Sequence, residues 1–170
     1  MTLHRPLAVF DVDGVLADVR HRLAFLERRP KDWDGFFAAA PLDPPLPEGV
    51  LLAQQYAADC EVVYLTGRPE HCRSDTLAWF AAHGLPVGRL SMRANLDRRP
   101  ARLAKPDLLA VLAADRDVRV VVDDDLAVCA AYEARGYPVL RATWMTSSAD
   151  EQADQQGDLL QLAQELEGRT

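Results

Sequence analysis

Apolar and polar positions along the chain alternate between two kinds of pattern. Leu7-Ala8-Val9-Phe10 is an unbroken apolar run; "EVVYL" from Glu61 to Leu65, "VRVVV" from Val118 to Val122 and the shorter "YPVL" from Tyr137 to Leu140 are mostly apolar runs of the same kind. Continuous runs of this length predict strands buried on both faces, as in a parallel sheet. "RLSMR", Arg89 to Arg93, is a weaker strand. Between these runs the apolar residues recur at helical spacing. One such segment is "VRHRLAFLERRP", with Leu23, Phe25 and Leu26 ahead of Pro30. Another is "DWDGFFAAAP", opened by Asp32 and closed near Pro41. "EGVLLAQQYAADC" carries Val50, Leu51, Ala53 and Ala57, and "EHCRSDTLAWFAAHG" carries Leu77, Trp79 and Phe80, with Gly84 just past its end. "KPDLLAVLAADR" follows, with Pro106 placed for a first turn, and then "LAVCAAYEARG", ended by Gly136. A last helix is expected at about 149–167, around Leu159, Leu160, Leu162 and Leu166. "PLDPPLPEG" is a proline-rich connector.

Alternating buried strands and helices predict an α/β fold, one parallel sheet with helices on both faces, in a single domain over residues 1–170. Ligands in such folds sit outside the carboxyl ends of the strands. The residues at each strand exit therefore carry the functional reading. After the first run come Asp11, Asp13 and Gly14. After the second come Thr66, Gly67 and Arg68. After "RLSM" come Arg93 and Asp97, leading to Lys105. After the fourth come Asp123, Asp124 and Asp125.

Composition narrows the setting. The chain has 170 residues, 49% hydrophobic, enough for a real core, and a formal net charge of −7. So acidic a chain is a poor general binder of nucleic acid or anionic membrane. Arg89, Arg93, Arg98, Arg99, Arg102 and Lys105 nevertheless crowd one segment against a single acid, Asp97. This local basic patch is either a solvated face or a seat for substrate phosphates. No apolar run is long enough to span a membrane. The first residues lack the pattern of a signal peptide, and Cys60, Cys72 and Cys129 are odd in number without a C-x-x-C pair. The expectation is a cytoplasmic protein with three structural thiols, and no obligate protein partner is deducible from the sequence.

Carboxylates with a lysine, an arginine and a hydroxyl at converging strand exits suit phosphoryl transfer. Magnesium takes a few carboxylates plus water and substrate oxygens. Asp11 and Asp124 are candidate ligands, joined by a backbone carbonyl at position 13. Asp11 is then placed to attack phosphorus, forming an aspartyl-phosphate. Asp13 can protonate the leaving oxygen and later activate water. Thr66 and the Gly67 N–H can hold phosphate oxygens, and Lys105 adds a cation where negative charge is concentrated.

In this order "DVDGV", "LTGR", Lys105 and "VVDDD" resemble the four signature motifs of the haloacid dehalogenase-like (HAD) phosphohydrolases, over roughly Leu7 to Ala142. The resemblance implies a Rossmann-like core, magnesium, Asp11 as nucleophile, Asp13 as acid/base and Thr66 as phosphate binder. It also implies Lys105 as charge neutraliser and Asp123 with Asp124 around the metal. The family usually has Thr where Val15 stands, a position that contributes mostly backbone. "SMRANLDRRPARLAKPD" further resembles the 3′-phosphatase domain of bifunctional polynucleotide kinase/phosphatases, with Arg93, Asp97, Arg99 and Lys105 at matching spacing. That implies a phosphate on a nucleotide or nucleic-acid end. No kinase P-loop pattern occurs in the sequence.

Residues 19–41 offer room for a small helical lid and no full cap domain, which leaves the site open to bulky substrates. Trp33, Phe36 and Phe37 in that lid either pack together or stack on a base. His21 is a helix-surface residue or a base, Asp125 a helix cap or a ligand, and Arg68 a surface pair or a substrate contact. The leading expectation is a magnesium-dependent phosphomonoesterase for nucleotide or polynucleotide 3′-phosphates. A general phosphatase of nucleoside monophosphates or sugar phosphates, and a non-catalytic phosphate-binding module, are the alternatives.

Overall fold

The structure is a computed structural model and describes residues 4–145; the helix expected at 149–167 lies outside the described residues. Five strands, β1 (Leu7–Phe10), β2 (Glu61–Pro69), β3 (Arg89–Arg93), β4 (Val118–Asp123) and β5 (Val139–Arg141), form one sheet in the order β3-β2-β1-β4-β5. All four pairings are parallel. The chain thus builds an α/β fold with a central strand, β1, that is fully buried.

Period-two alternation explains how both faces are covered. Ala8, Phe10, Val62, Tyr64, Val120 and Val122 pack in one cluster with Ala53 of α3 (Pro47–Tyr56) and Trp79 and Phe80 of α4 (Arg73–Ala82). Leu7, Val9, Val63, Leu65 and Val121 pack on the opposite face with Leu109 of α5 (Ala101–Leu112) and Val128 and Tyr132 of α6 (Leu126–Ala134). A third cluster, Val19, Leu23, Leu26, Trp33, Phe36 and Phe37, is the core of the lid. There the aromatic rings pack on one another, Trp33 and Phe37 at 5.8 Å between centroids. The lid holds α1 (Ala24–Glu27) and α2 (Trp33–Ala38), the latter capped by Asp32, whose side chain accepts from the Gly35 N–H.

Three elements differ from the sequence expectation. β2 does not stop at Leu65 but runs through Thr66, Gly67 and Arg68 to Pro69, all buried. Pairing with β3 continues to Pro69↔Arg93 across an irregularity, so the apparent turn residues "TGRP" are strand. Helix α5 starts at Ala101, and Pro106 lies inside it. Pro106 has no N–H for the Arg102 carbonyl, and burial of Ala101, Ala104 and Leu109 along the same helix offsets the local cost. The expected helix after Asp18 splits into a 3-10 turn at Arg20–Arg22 and the short α1, because Arg22 is turned inward and fully buried.

Candidate active site

Asp11 stands one residue past β1. Its N–H donates to the Val122 carbonyl at 2.9 Å, which carries the β1–β4 pairing one step further and sets Asp11 abreast of Asp123. Alternation places Asp11 on the face of Leu7 and Val9, the face covered by α5. Lys105 of α5 reaches up to it, with Nζ 2.8 Å from Asp11 Oδ2 and 2.9 Å from Asp123 Oδ2. Asp124 joins them: carboxylate oxygens of Asp11, Asp123 and Asp124 lie within 4.8 Å of one another. All four side chains are buried. Burial pushes the Asp11 carboxyl up to about 7, opposed by Lys105 and reinforced by Asp123. Burial and the neighbouring carboxylates raise Asp124 well above the usual carboxylate range, and burial raises Asp123 against the pull of Lys105. Burial works to lower Lys105, but Asp11 and Asp123 outweigh it and hold its pKa well above the ordinary lysine value.

The turn after Asp13 is built for closeness. Gly14 has φ +79°, and a Cβ there would fall 2.2 Å from Asp124 Oδ2. Only glycine meets both demands. Val15 is buried, and its carbonyl accepts from Trp144 Nε1 at 2.9 Å, so this position does contribute backbone. Asp125 is the N-cap of α6, accepting from the Ala127 and Val128 N–H groups at 2.8 and 3.0 Å.

The donor set fits a hard divalent cation. Three carboxylates face one ammonium, and Asp11 Oδ1 is buried with no hydrogen-bond partner among the described residues. Such an oxygen is costly unless a cation or substrate group meets it. Asp11 and Asp124, with Asp123 beside them, are the residues that would hold magnesium. The Asp13 carboxylate points elsewhere.

A second buried cluster lies beside the first. Asp13 Oδ1 accepts from Arg22 Nη2 at 2.7 Å and from Arg68 Nη2 and Nε at 2.5 and 2.9 Å. Behind the two arginines sits Asp43. Its Oδ2 accepts from Arg22 Nη2 and Arg68 Nη2 at 2.8 and 2.9 Å, and its Oδ1 from Arg22 Nε at 2.8 Å. His21 Nε2 lies 2.7 Å from the same Oδ1. Trp79 Nε1 donates to the Asp43 carbonyl at 2.8 Å, and Arg22 lies over the Phe36 ring at 4.1 Å. Burial alone would push the Asp13 carboxyl up, but Arg22 and Arg68 overcome it and hold it at about 2. At Asp43 burial prevails over the same arginines, and its pKa is raised. Arg68 is therefore a buried pair to Asp13 and Asp43, and His21 a partner of Asp43. Arg22 and Asp43 were not legible as site residues. Asp43 sits in the proline-rich connector and Arg22 in an apparently amphipathic helix, with no local signal joining them.

Thr66 lies on the buried part of β2, its Oγ1 accepting from the Arg68 N–H at 3.2 Å, with Gly67 between them. Arg93, at the end of β3, is buried and donates from Nη1 to the Arg99 carbonyl at 2.6 Å. Asp97 accepts from the Arg99 N–H at 3.0 Å and from its guanidinium at 2.8 Å, and Arg99 holds its carboxyl down at about 2. Arg99 also reaches Asp107 at 2.8 Å. These two side chains thus brace the loop between β3 and α5.

The fold and its converging carboxylates define the HAD class of hydrolases. Residues 6–144 match the family model of the polynucleotide kinase PNKP phosphatase domain, and the chain belongs to that family of phosphatase domains. Its fold resembles a chain in the structure of the Pnkp1/Rnl/Hen1 RNA repair complex (21% identity, TM-score 0.69). That match covers 80% of this chain and 42% of the other, so this chain spans less than half of that protein. It also resembles a haloacid dehalogenase-like hydrolase from Streptococcus pneumoniae (12% identity, TM-score 0.60, covering 83% of this chain and 85% of that one). A putative phosphoglycolate phosphatase from Lactobacillus plantarum is similar as well (15% identity, TM-score 0.56, 89% and 91% covered). At these identities the likeness is one of fold. No curated protein sequence matches the chain significantly. Among the described residues no helix is long and apolar enough to cross a membrane.

Proposed function

We propose that the chain is a magnesium-dependent phosphomonoesterase acting through an aspartyl-phosphate, with polynucleotide 3′-phosphate ends as substrate. The observation that carries the chemistry is Asp11: Lys105 fixes one carboxylate oxygen at 2.8 Å while the other, buried, has no hydrogen-bond partner among the described residues. Lys105 orients the carboxylate and opposes the burial that favours its protonated form. The partnerless oxygen attacks phosphorus, and the bond from phosphorus to the 3′-oxygen breaks. Thr66 Oγ1 donates its proton to a nonbridging oxygen, and the Gly67 N–H supports another. Asp11, Asp124 and Asp123 would hold magnesium, which would supply the positive charge that lets a phosphate dianion approach these carboxylates. Lys105 neutralises part of the charge that remains.

Asp13 works at the leaving oxygen. Its Oδ1 is gripped by two arginines, while Oδ2 has no hydrogen-bond partner among the described residues and can face the reaction. Held at about 2, it is ready as the base that takes a proton from water in the second step. Acting as acid in the first step requires a proton, and the negative charge of a bound phosphate moves its pKa in that direction. Polynucleotide 3′ ends are favoured by membership of the PNKP phosphatase-domain family and by the fold shared with a chain of an RNA repair complex. Three buried free thiols accord with a reducing, cytoplasmic setting.

The test is phosphate release from a 3′-phosphorylated oligonucleotide and its 5′-phosphorylated isomer, with magnesium or EDTA. Release from the 3′ isomer with magnesium alone supports the reading. Equal turnover of both isomers assigns a general phosphatase instead.

A further inference from the structure

Beside the site, between the lid and the exit of β3, lies an open pocket of about 150 Å³. Its walls include Trp33 and Phe37 of α2, Pro69 of β2, His71, Arg93 and Arg98. Three features make it a built site. Arg93 is only 2% exposed, and its Nε and Nη2 have no hydrogen-bond partner among the described residues. These nitrogens are shut off from bulk solvent, so a group entering the pocket or a bound water is what can satisfy them. The facing wall is aromatic: Phe37 and His71 meet edge to face at 6.2 Å, beside the stacked Trp33. Finally, the pocket opens at the same end of the sheet as Asp11. β3 lies two strand positions from β1, on the order of 10 Å, which one nucleotide step can cover.

Arg93 and Arg98 share the lining with Asp34 and Asp97, and Asp97 is bridged by Arg99. The pocket therefore offers a buried guanidinium with two partnerless nitrogens among the described residues, and an aromatic wall. A phosphodiester with a flat ring attached fits both: the first meets a guanidinium fork, the second an aromatic edge.

We propose that this pocket seats the bridging phosphate and a flanking base of the nucleotide next to a 3′-terminal phosphate, which deepens the phosphatase reading above and rests on it. Arg93 is the phosphate contact, Arg98 a peripheral cation, and Trp33 with Phe37 the base wall. The site thereby distinguishes a strand end from a free nucleotide.

The experiment compares thymidylyl-thymidine 3′-phosphate with thymidine 3′-monophosphate in kcat/KM. It also titrates thymidylyl-thymidine, which has the bridging phosphate and no scissile one, against tryptophan fluorescence. The wild type should prefer the dinucleotide by about tenfold or more, the scale of one charge-assisted contact. Arg93→Ala should bring that ratio close to one, and Arg93→Lys should restore part of it. Arg98→Ala, a change at an exposed residue, should lower it about threefold if the cation acts through space at partial screening. Thymidylyl-thymidine should quench emission that Trp33→Phe removes. A wild-type ratio of one, or a ratio that survives both arginine substitutions, overturns the subsite; in the second case the 3′-phosphatase reading stands. Arg93-dependent quenching by thymidylyl-thymidine without hydrolysis of either substrate upholds the subsite and overturns the phosphatase reading.

Discussion

Two buried ionic clusters sit side by side at the carboxyl end of the sheet, and they differ in balance. In one, Asp11 and Asp123 share Lys105, and Asp124 stands beside them. In the other, Asp13 and Asp43 face Arg22 and Arg68. The first carries excess negative charge, and the carboxyls of Asp11, Asp123 and Asp124 are all pushed up. The second is neutral within itself and holds Asp13 at about 2. Burial is common to both, so the difference lies in counter-charge. On the proposed reading, the unbalanced cluster is completed by a cation and with it a phosphate, and the balanced one is a frame that aims a single carboxylate. The comparison would then separate the residues that react or bind metal from those that position, and each experiment below presses on that line.

The largest effect should follow Asp11→Asn. Turnover should fall by about ten-thousand-fold or more, the scale seen when a nucleophile is removed, while the circular dichroism spectrum stays native. Loss of one negative charge from the unbalanced cluster should not unfold the protein. Retained turnover in the Asn variant would remove the aspartyl-phosphate route.

Asp13→Asn comes next, with turnover lowered by about a hundred- to ten-thousand-fold, the usual share of proton transfer. The defect should shrink for p-nitrophenyl phosphate, whose leaving group needs little protonation. A defect of equal size for alkyl and aryl leaving groups would move Asp13 from acid to mere frame.

Much of this division was legible in the sequence, and its limits are instructive. Asp11, Asp13, Thr66, Asp123 and Asp124 announce themselves because each sits at or beyond a buried apolar run, where a strand must deliver its next residues to the sheet's end. Lys105 and its helix are legible, but the helix start is not, since Pro106 reads as a first-turn residue and in fact lies inside α5. The frame was hidden. Arg22 meets Asp13 and Asp43 across sequence separations of 9 and 21, and no period or motif links them. Arg68 looked like a loop residue because "TGRP" has turn composition, yet pairing with β3 keeps it extended and buried. Strand-exit chemistry is local and can be read; counter-charge assembled from a lid, a connector and a strand is tertiary and cannot.

Stability should split the two clusters in opposite directions. Asp43→Asn removes one side of the balanced frame and leaves Arg22 and Arg68 sharing Asp13. It should cost on the order of 3 kcal/mol in urea unfolding, the scale of a broken buried pair. Asp124→Asn relieves repulsion in the unbalanced cluster and should stabilise the protein in EDTA. It should also abolish stabilisation by magnesium. Two losses of similar size would mean the clusters are electrostatically alike after all.

The pH dependence follows the same line. The Asp11 pKa is raised from 3.8 to about 7, so the folded protein holds that proton more tightly than the unfolded chain. Raising the pH from about 4 to 7 then removes a proton at a cost, and stability in EDTA should fall across that window. The Asp13 pKa is lowered to about 2, so its contribution is present above the unfolded value and is lost as the pH falls from about 4 to 2. Together they place maximal stability in EDTA near pH 4, for the groups considered. Magnesium competes with protons for the raised carboxylates, so its stabilising effect should grow from pH 5 to pH 7. Thermal unfolding at several pH values with magnesium or EDTA reads this directly. A magnesium shift independent of pH would show that Asp11 is already ionised at pH 5.

The smallest effect belongs to Arg99, and it tests where the frame ends and the substrate surface begins. The sequence pairs Arg99 with Arg93 as substrate contacts, yet their surroundings differ. Arg93 is buried, with two guanidinium nitrogens lacking partners among the described residues. Arg99 is half exposed and already engaged by Asp97 and Asp107 at 2.8 Å each. Surface pairs of this kind contribute little, because water screens them and long side chains lose freedom in making them. What Arg99 gives Arg93 is its main-chain carbonyl, the acceptor for Nη1 at 2.6 Å, and that atom survives substitution. Arg99→Ala should therefore raise KM for a 3′-phosphorylated oligonucleotide by about threefold or less, the effect of a slightly loosened loop. An oligonucleotide defect of tenfold or more, with p-nitrophenyl phosphate little changed, would place the Arg99 side chain on the substrate and extend the cationic surface beyond the Arg93 pocket.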